Sequence, residues 1–133
     1  MKEQWGGSSR WWLMAGSINM LLAVALGAFG AHALKASLPP DLMAVYQTGN
    51  QYHIYHALGL FAVAFAARCY QPSALIRSSG LLILTGLVLF SGSLYALSLT
   101  GRRWIGMFTP FGGTAFLAGW LLLAVGSWRS RKV

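Results

Sequence analysis

WWLMAGSINMLLAVALGAFGAHAL, residues 11–34, is a run of 24 residues without one charged side chain. A helix that crosses a bilayer needs about 20 mostly apolar residues, so this run is long enough. Trp11-Trp12 at its start suits the membrane–water interface. The run closes on Gly27-Ala28-Phe29-Gly30-Ala31-His32, which puts a histidine where a hydrophobic helix leaves its apolar surroundings. Ala31-His32-Ala33 resembles a small-x-small cleavage site. The run is longer than the ~7–15-residue apolar core of a signal peptide, and it is expected to be retained as a span.

Working outward, the rest of the chain repeats this pattern. The 133 residues are 56% hydrophobic and 9% charged, against about 25% charged in soluble domains. Pro39-Pro40 interrupts the chain after the first run, because proline lacks a backbone donor and restricts the residue before it. Asp41 is expected to cap a short interfacial helix over residues 42–47, and Gly49-Asn50 reads as a turn. Further apolar runs cover residues 52–67, 79–99 and 105–128, with polar termini at 1–10 and 129–133. The expectation is one all-α domain over 1–133, a four-helix transmembrane bundle with spans 11–34, 52–67, 79–99 and 105–128.

Four crossings place both termini on one side. Lys2, Arg10, Arg68, Arg77, Arg129, Arg131 and Lys132 fall on that side, and Lys35, Arg102 and Arg103 on the other. Cytoplasmic loops collect Lys and Arg, so both termini are expected on the cytoplasmic side. The net charge of +8 is thereby accounted for by orientation. It forms no basic groove with interleaved aromatics, and no nucleic-acid partner is expected. The single cysteine, Cys69, excludes an intrachain disulfide and a multi-cysteine zinc site.

Two kinds of residue stand out inside the apolar runs. Small residues recur every four positions: Ala23, Gly27 and Ala31 on span one, Gly92 and Ala96 on span three, Ala115 and Gly119 on span four. Such stripes let helices approach closely where lipid removes the hydrophobic drive. Polar residues gather at one membrane depth: His32 ends span one, Tyr52, His53, Tyr55 and His56 open span two, and Tyr95 and Thr109 lie in the same half of spans three and four. His53 and His56, at i and i+3, share a helix face. Three imidazoles could ligate a metal if His32 met them. No carboxylate in the spans would orient the rings, and hydrogen bonding to backbone or water is the simpler role. Asn19 is expected to bond to a neighbouring helix. No nucleophile–base pair, phosphate loop or paired carboxylate is present, so no catalytic residue, metal site or cofactor is assigned.

The motifs Gly27-Ala28-Phe29-Gly30-Ala31-His32-Ala33-Leu34, Gln51-Tyr52-His53-Ile54-Tyr55-His56-Ala57-Leu58, Phe90-Ser91-Gly92-Ser93-Leu94-Tyr95 and Thr109-Pro110-Phe111-Gly112-Gly113 occur in one order across residues 11–126. Together they resemble the YgdD/YwdK-type small inner-membrane proteins, a domain of unknown function related to a small eukaryotic transmembrane protein family. The resemblance implies a four-helix bacterial inner-membrane protein and brings no activity with it. Within it, His32 matches the glycine-rich motif and His56 the Tyr-His motif, while His53 falls at a more variable position.

The functional expectation is a non-enzymatic accessory, assembly or scaffold subunit of a larger membrane complex. Its partners would be the lipid bilayer and other membrane subunits or a second copy. The alternative is a small oligomeric transporter or channel, motivated by the polar, glycine-rich outer cluster. The further alternative is a haem-, metal- or quinone-binding redox component, motivated by the histidines.

Overall fold

A computed structural model describes residues 7–133. Four helices follow one another: α1 (Gly7–Leu34), α2 (Pro40–Cys69), α3 (Ala74–Thr100) and α4 (Arg103–Arg129). Among the described residues, α1, α3 and α4 are long and apolar enough to cross a membrane. α2 falls short of that hydropathy because Gln47, Thr48, Asn50, Gln51, His53 and His56 crowd its first half. Lys2, counted above on the basic side, lies outside the described residues.

The expected break at Gly49-Asn50 does not occur. α2 is one continuous 30-residue helix with Pro40 in its first turn, where the missing donor costs nothing. A turn signal yields here because both residues are used in packing. Gly49 is buried against Leu94 and Tyr95 of α3, and the Asn50 amide reaches two neighbouring helices. The short helix expected over 42–47 is therefore the start of α2.

Two helices carry local irregularities. α1 ends in a π turn, Gly30–Leu34, and α3 contains another, Leu87–Gly92. α3 stops at Gly101, whose φ of 68° suits a residue without Cβ and whose N–H bonds Leu97 O at 2.8 Å. α4 opens with a 3-10 segment, Arg103–Phe108.

The helices run up and down, so the termini share one end of the bundle. There the tail pairs with the α2–α3 loop: Gln71 N–H donates to Arg131 O at 3.0 Å and Val133 N–H to Cys69 O at 3.1 Å. The first residues of α1, Gly7–Ser9, border a cleft with Gln71, Pro72 and Ser73 of that loop. At the opposite end Arg103 donates to Asp41 at 2.9 Å, an exposed pair joining α4 to α2.

The apolar core is in two parts. The larger surrounds Leu60, Val63 and Ile83 near the terminal end and includes Trp12, Phe116 and Leu123. The smaller, Leu34, Met43 and Tyr46, closes the other end. Between them lies a polar layer. Close approach in the larger core needs Gly86, because a Cβ there would run into the Phe116 ring.

Candidate functional site

The polar layer is built from the inward face of α2. His53 is 6% exposed. Its Nε2 lies 3.3 Å from Asn19 Oδ1 of α1, and its Nδ1 lies 3.1 Å from the Tyr95 hydroxyl of α3. Asn50, one turn earlier on α2, donates from Nδ2 to Ala23 O at 2.8 Å and to Tyr95 Oη at 3.1 Å.

With neutral imidazoles, these contacts assign the protons of the layer. Asn19 donates its Nδ2 to Ala15 O at 2.9 Å, so Oδ1 is the atom it turns to His53. That oxygen only accepts, so His53 carries its proton on Nε2. The Nδ1 lone pair then accepts from the Tyr95 hydroxyl, whose oxygen is in turn served by Asn50. The chain runs Asn50 → Tyr95 → His53 → Asn19, across three helices, with no ionised member. Tyr46 stands beside it, its ring centroid 5.1 Å from that of Tyr95 and its hydroxyl donating to Leu26 O at 2.6 Å.

His56 goes elsewhere. Its Nδ1–H donates to Tyr52 O at 2.7 Å, leaving the lone pair on Nε2. Its ring stacks on Phe116 of α4, with centroids 3.4 Å apart and 11° between planes. The two α2 histidines thus hold opposite tautomers and face different neighbours. His32 is exposed in the terminal π turn of α1 and joins neither of them. Among the described residues no group of three His, Cys, Asp or Glu is placed to hold a metal ion.

The remaining candidates divide. Thr109 donates to Ser93 Oγ at 2.7 Å, since the Ser93 hydroxyl is itself committed to Phe90 O, and this fastens α4 to α3. Tyr52 packs on Phe90 with centroids 4.7 Å apart and Tyr55 accepts from Gln51, both tyrosines being exposed. Of the small residues, Ala23 is fully buried, and Gly27 leaves the space that the Asn50 amide fills, since a Cβ there would sit 2.9 Å from Oδ1. Ala115 and Gly119 are buried, Gly119 against Ile83 and the Ser79 carbonyl. Ala31 is exposed and Ala96 half-buried. Gly92 has only Leu87 O of its own helix near a would-be Cβ, at 3.8 Å.

Sequence reading singled out neither Asn50 as a network member nor Tyr46 as a buried anchor. The only available signal for Asn50 was an amide inside a helix-length stretch, and Gly49 beside it made a turn the better reading.

Two clefts flank this layer. One, of about 440 Å³, opens between α1 and α3 and is lined by Asn19, His53, Ser91, Gly92 and Tyr95 below a rim that includes Val88. Ser91 Oγ is buried there without a partner among the described residues. It lies in the π turn, where the usual bond to a carbonyl four residues back is lost. The other, of about 400 Å³, opens between α1 and α2.

Residues 26–113 match the family described as "Protein of unknown function (DUF423)". The chain belongs to this family. Across 113 residues it is 50% identical to the UPF0382 membrane protein YwdK of Bacillus subtilis (strain 168), covering 85% of this chain and 92% of that one. Across 125 residues it is 40% identical to the UPF0382 inner membrane protein YgdD of Escherichia coli (strain K12), covering 94% and 95%. No solved structure matches the chain. Family membership and three apolar helices of spanning length make this a membrane protein of the DUF423 family; Asn50, His53 and Tyr95 lie within the matched region and Asn19 lies before it.

Proposed function

We propose that this DUF423 protein is a four-span protein of the bacterial plasma (inner) membrane, with both termini cytoplasmic, that serves as a non-catalytic accessory, assembly or scaffold subunit of a larger membrane complex. One observation carries the reading: the Asn50–Tyr95–His53–Asn19 chain, centred on the buried His53, links three helices through this protein's own side chains. Its hydrogen bonds join α1, α2 and α3, which is how polar side chains fasten helices in a membrane.

That α2 is the fourth span is supported by its 30-residue length and its inward-facing polar groups. A polar side chain that is bonded inside the bundle does not meet lipid, so low hydropathy is compatible with crossing. The cytoplasmic termini are supported by their shared end and by the basic residues Arg10, Arg68, Arg77, Arg129, Arg131 and Lys132 near it.

The testing experiment is extraction of tagged protein with its native lipid, read by mass spectrometry. A reproducible, near-stoichiometric membrane partner is the expected result. A protein that stays monomeric and alone under lipid-preserving extraction would overturn the accessory role.

A further inference from the structure

The cleft between α1 and α2 has a lining of apolar, amide and cationic groups. It is bordered by Gly27, Gly30 and Ala31 of α1, by Met43 and Ile54 of α2, and by Tyr46, Gln47, Asn50 and Gln51. Lys35 lies at its α1 end, just beyond Leu34. From Gly27 to Lys35 the cleft follows α1 for about 12 Å, taking 1.5 Å per residue. Its lining is mixed: the Asn50 amide lies against Gly27, while Gln47 and Gln51 add two further amides, Gly30, Ala31, Met43 and Ile54 add apolar surface, and an ammonium stands at the helix end.

The charge at the mouth is uncompensated. Asp41, the acid at this end of the bundle, is taken by Arg103. Among the described residues Lys35 has no ion-pair partner. An ammonium at the end of a spanning helix stands at headgroup level, above a groove that descends toward the hydrocarbon. A soluble anion would gain nothing from the Gly30, Ala31, Met43 and Ile54 walls, whereas an acyl chain would.

We infer that the α1–α2 cleft is a binding site for one anionic phospholipid, with its phosphodiester at Lys35, an ester carbonyl within reach of the Gln47 amide and the upper acyl chain against Gly30, Ala31 and Met43. The site is independent of any partner subunit, so it stands or falls separately from the accessory role. A lysine ammonium binds a phosphate as a point charge, and that is the chemistry that would recognise the headgroup.

The test is native mass spectrometry of the full chain in mild detergent, titrated with phosphatidylglycerol and, separately, phosphatidylcholine. Wild type should retain one phosphatidylglycerol in preference to phosphatidylcholine. Lys35→Gln should weaken retention about fivefold, the equivalent of one lysine near a membrane surface. Ala31→Trp, at an exposed position on the cleft wall, should abolish it by filling the groove. Arg102→Gln, at the same end but outside the cleft, should change nothing. Equal retention in wild type, Lys35→Gln and Ala31→Trp would overturn the site. So would equal loss in Lys35→Gln and Arg102→Gln, or no preference over phosphatidylcholine.

Discussion

His53 and Tyr95 are hydrogen-bonded across the α2–α3 seam, with imidazole Nδ1 3.1 Å from the phenolic oxygen and ring centroids 5.9 Å apart. The Tyr95 hydroxyl is the branch point of the layer, donating to His53 and accepting from Asn50. Tyr95→Phe keeps the ring and removes both bonds. Interhelical bonds in membranes are worth about 0.6 kcal/mol on average and up to about 1.7. The expected loss is therefore about 1–2 kcal/mol of stability, read as reduced resistance to thermal or denaturant unfolding in detergent, with helix content unchanged.

The proton positions are directly measurable. Nitrogen NMR of imidazole-labelled protein should show His53 as the Nε2–H tautomer and His56 as the Nδ1–H tautomer, both neutral. In Asn19→Leu the His53 Nε2–H loses its acceptor, and its signal should shift while that of His56 stays in place.

Gly27 is the gap through which Asn50 reaches α1. Gly27→Val would place a branched side chain where Asn50 Oδ1 now lies, since a Cβ alone comes within 2.9 Å of that atom. Displacing the amide and overpacking the seam should cost about 1–3 kcal/mol. Gly7→Ala, with nothing within 4 Å of the added carbon, is the matched control and should leave unfolding unchanged.

At the far end, the Arg103 guanidinium beside Asp41 holds its carboxyl below the usual carboxylate range. A depressed folded pKa adds stability above the unfolded value, near 3.9, and that stability is lost as pH falls through the folded value. The pair is exposed, so its contribution is small. The difference in melting temperature between wild type and Asp41→Asn should be small and constant from pH 5 to 8, and should vanish in more acidic buffer.

Membrane orientation gives a separate prediction. Single cysteines at Ser37 and at Arg102, in a Cys69→Ala background, should react with a membrane-impermeant thiol reagent in intact cells. A cysteine at Ser130 should react only after the membrane is opened. The reverse pattern would invert the proposed topology.

How far the sequence reaches differs by residue. Helices around 11–34, 79–99 and 105–128 are legible because long apolar runs in lipid must satisfy their backbone internally, and the structure extends each outward by a few residues. The break expected at Gly49-Asn50 follows a local rule that tertiary contacts overrode. His53 and His56 show the same limit. Three residues turn a helix by about 300°, which leaves the side chains about 60° apart. In a bundle this is enough to send one to α1 and α3 and the other to α4.

By itself the sequence determined a helical membrane protein and the order, approximate extent and charged ends of its apolar runs. These follow from hydropathy and from the backbone's need for hydrogen bonds, which act residue by residue. Only the tertiary structure decided that Asn19, Asn50, His53 and Tyr95 form one chain, that His32 stays outside it, and that Lys35 overlooks an open cleft. Those facts depend on the rotation of each helix about its own axis. Spacing along a chain fixes depth, whereas rotation is set by which side chains interlock with the neighbouring helices.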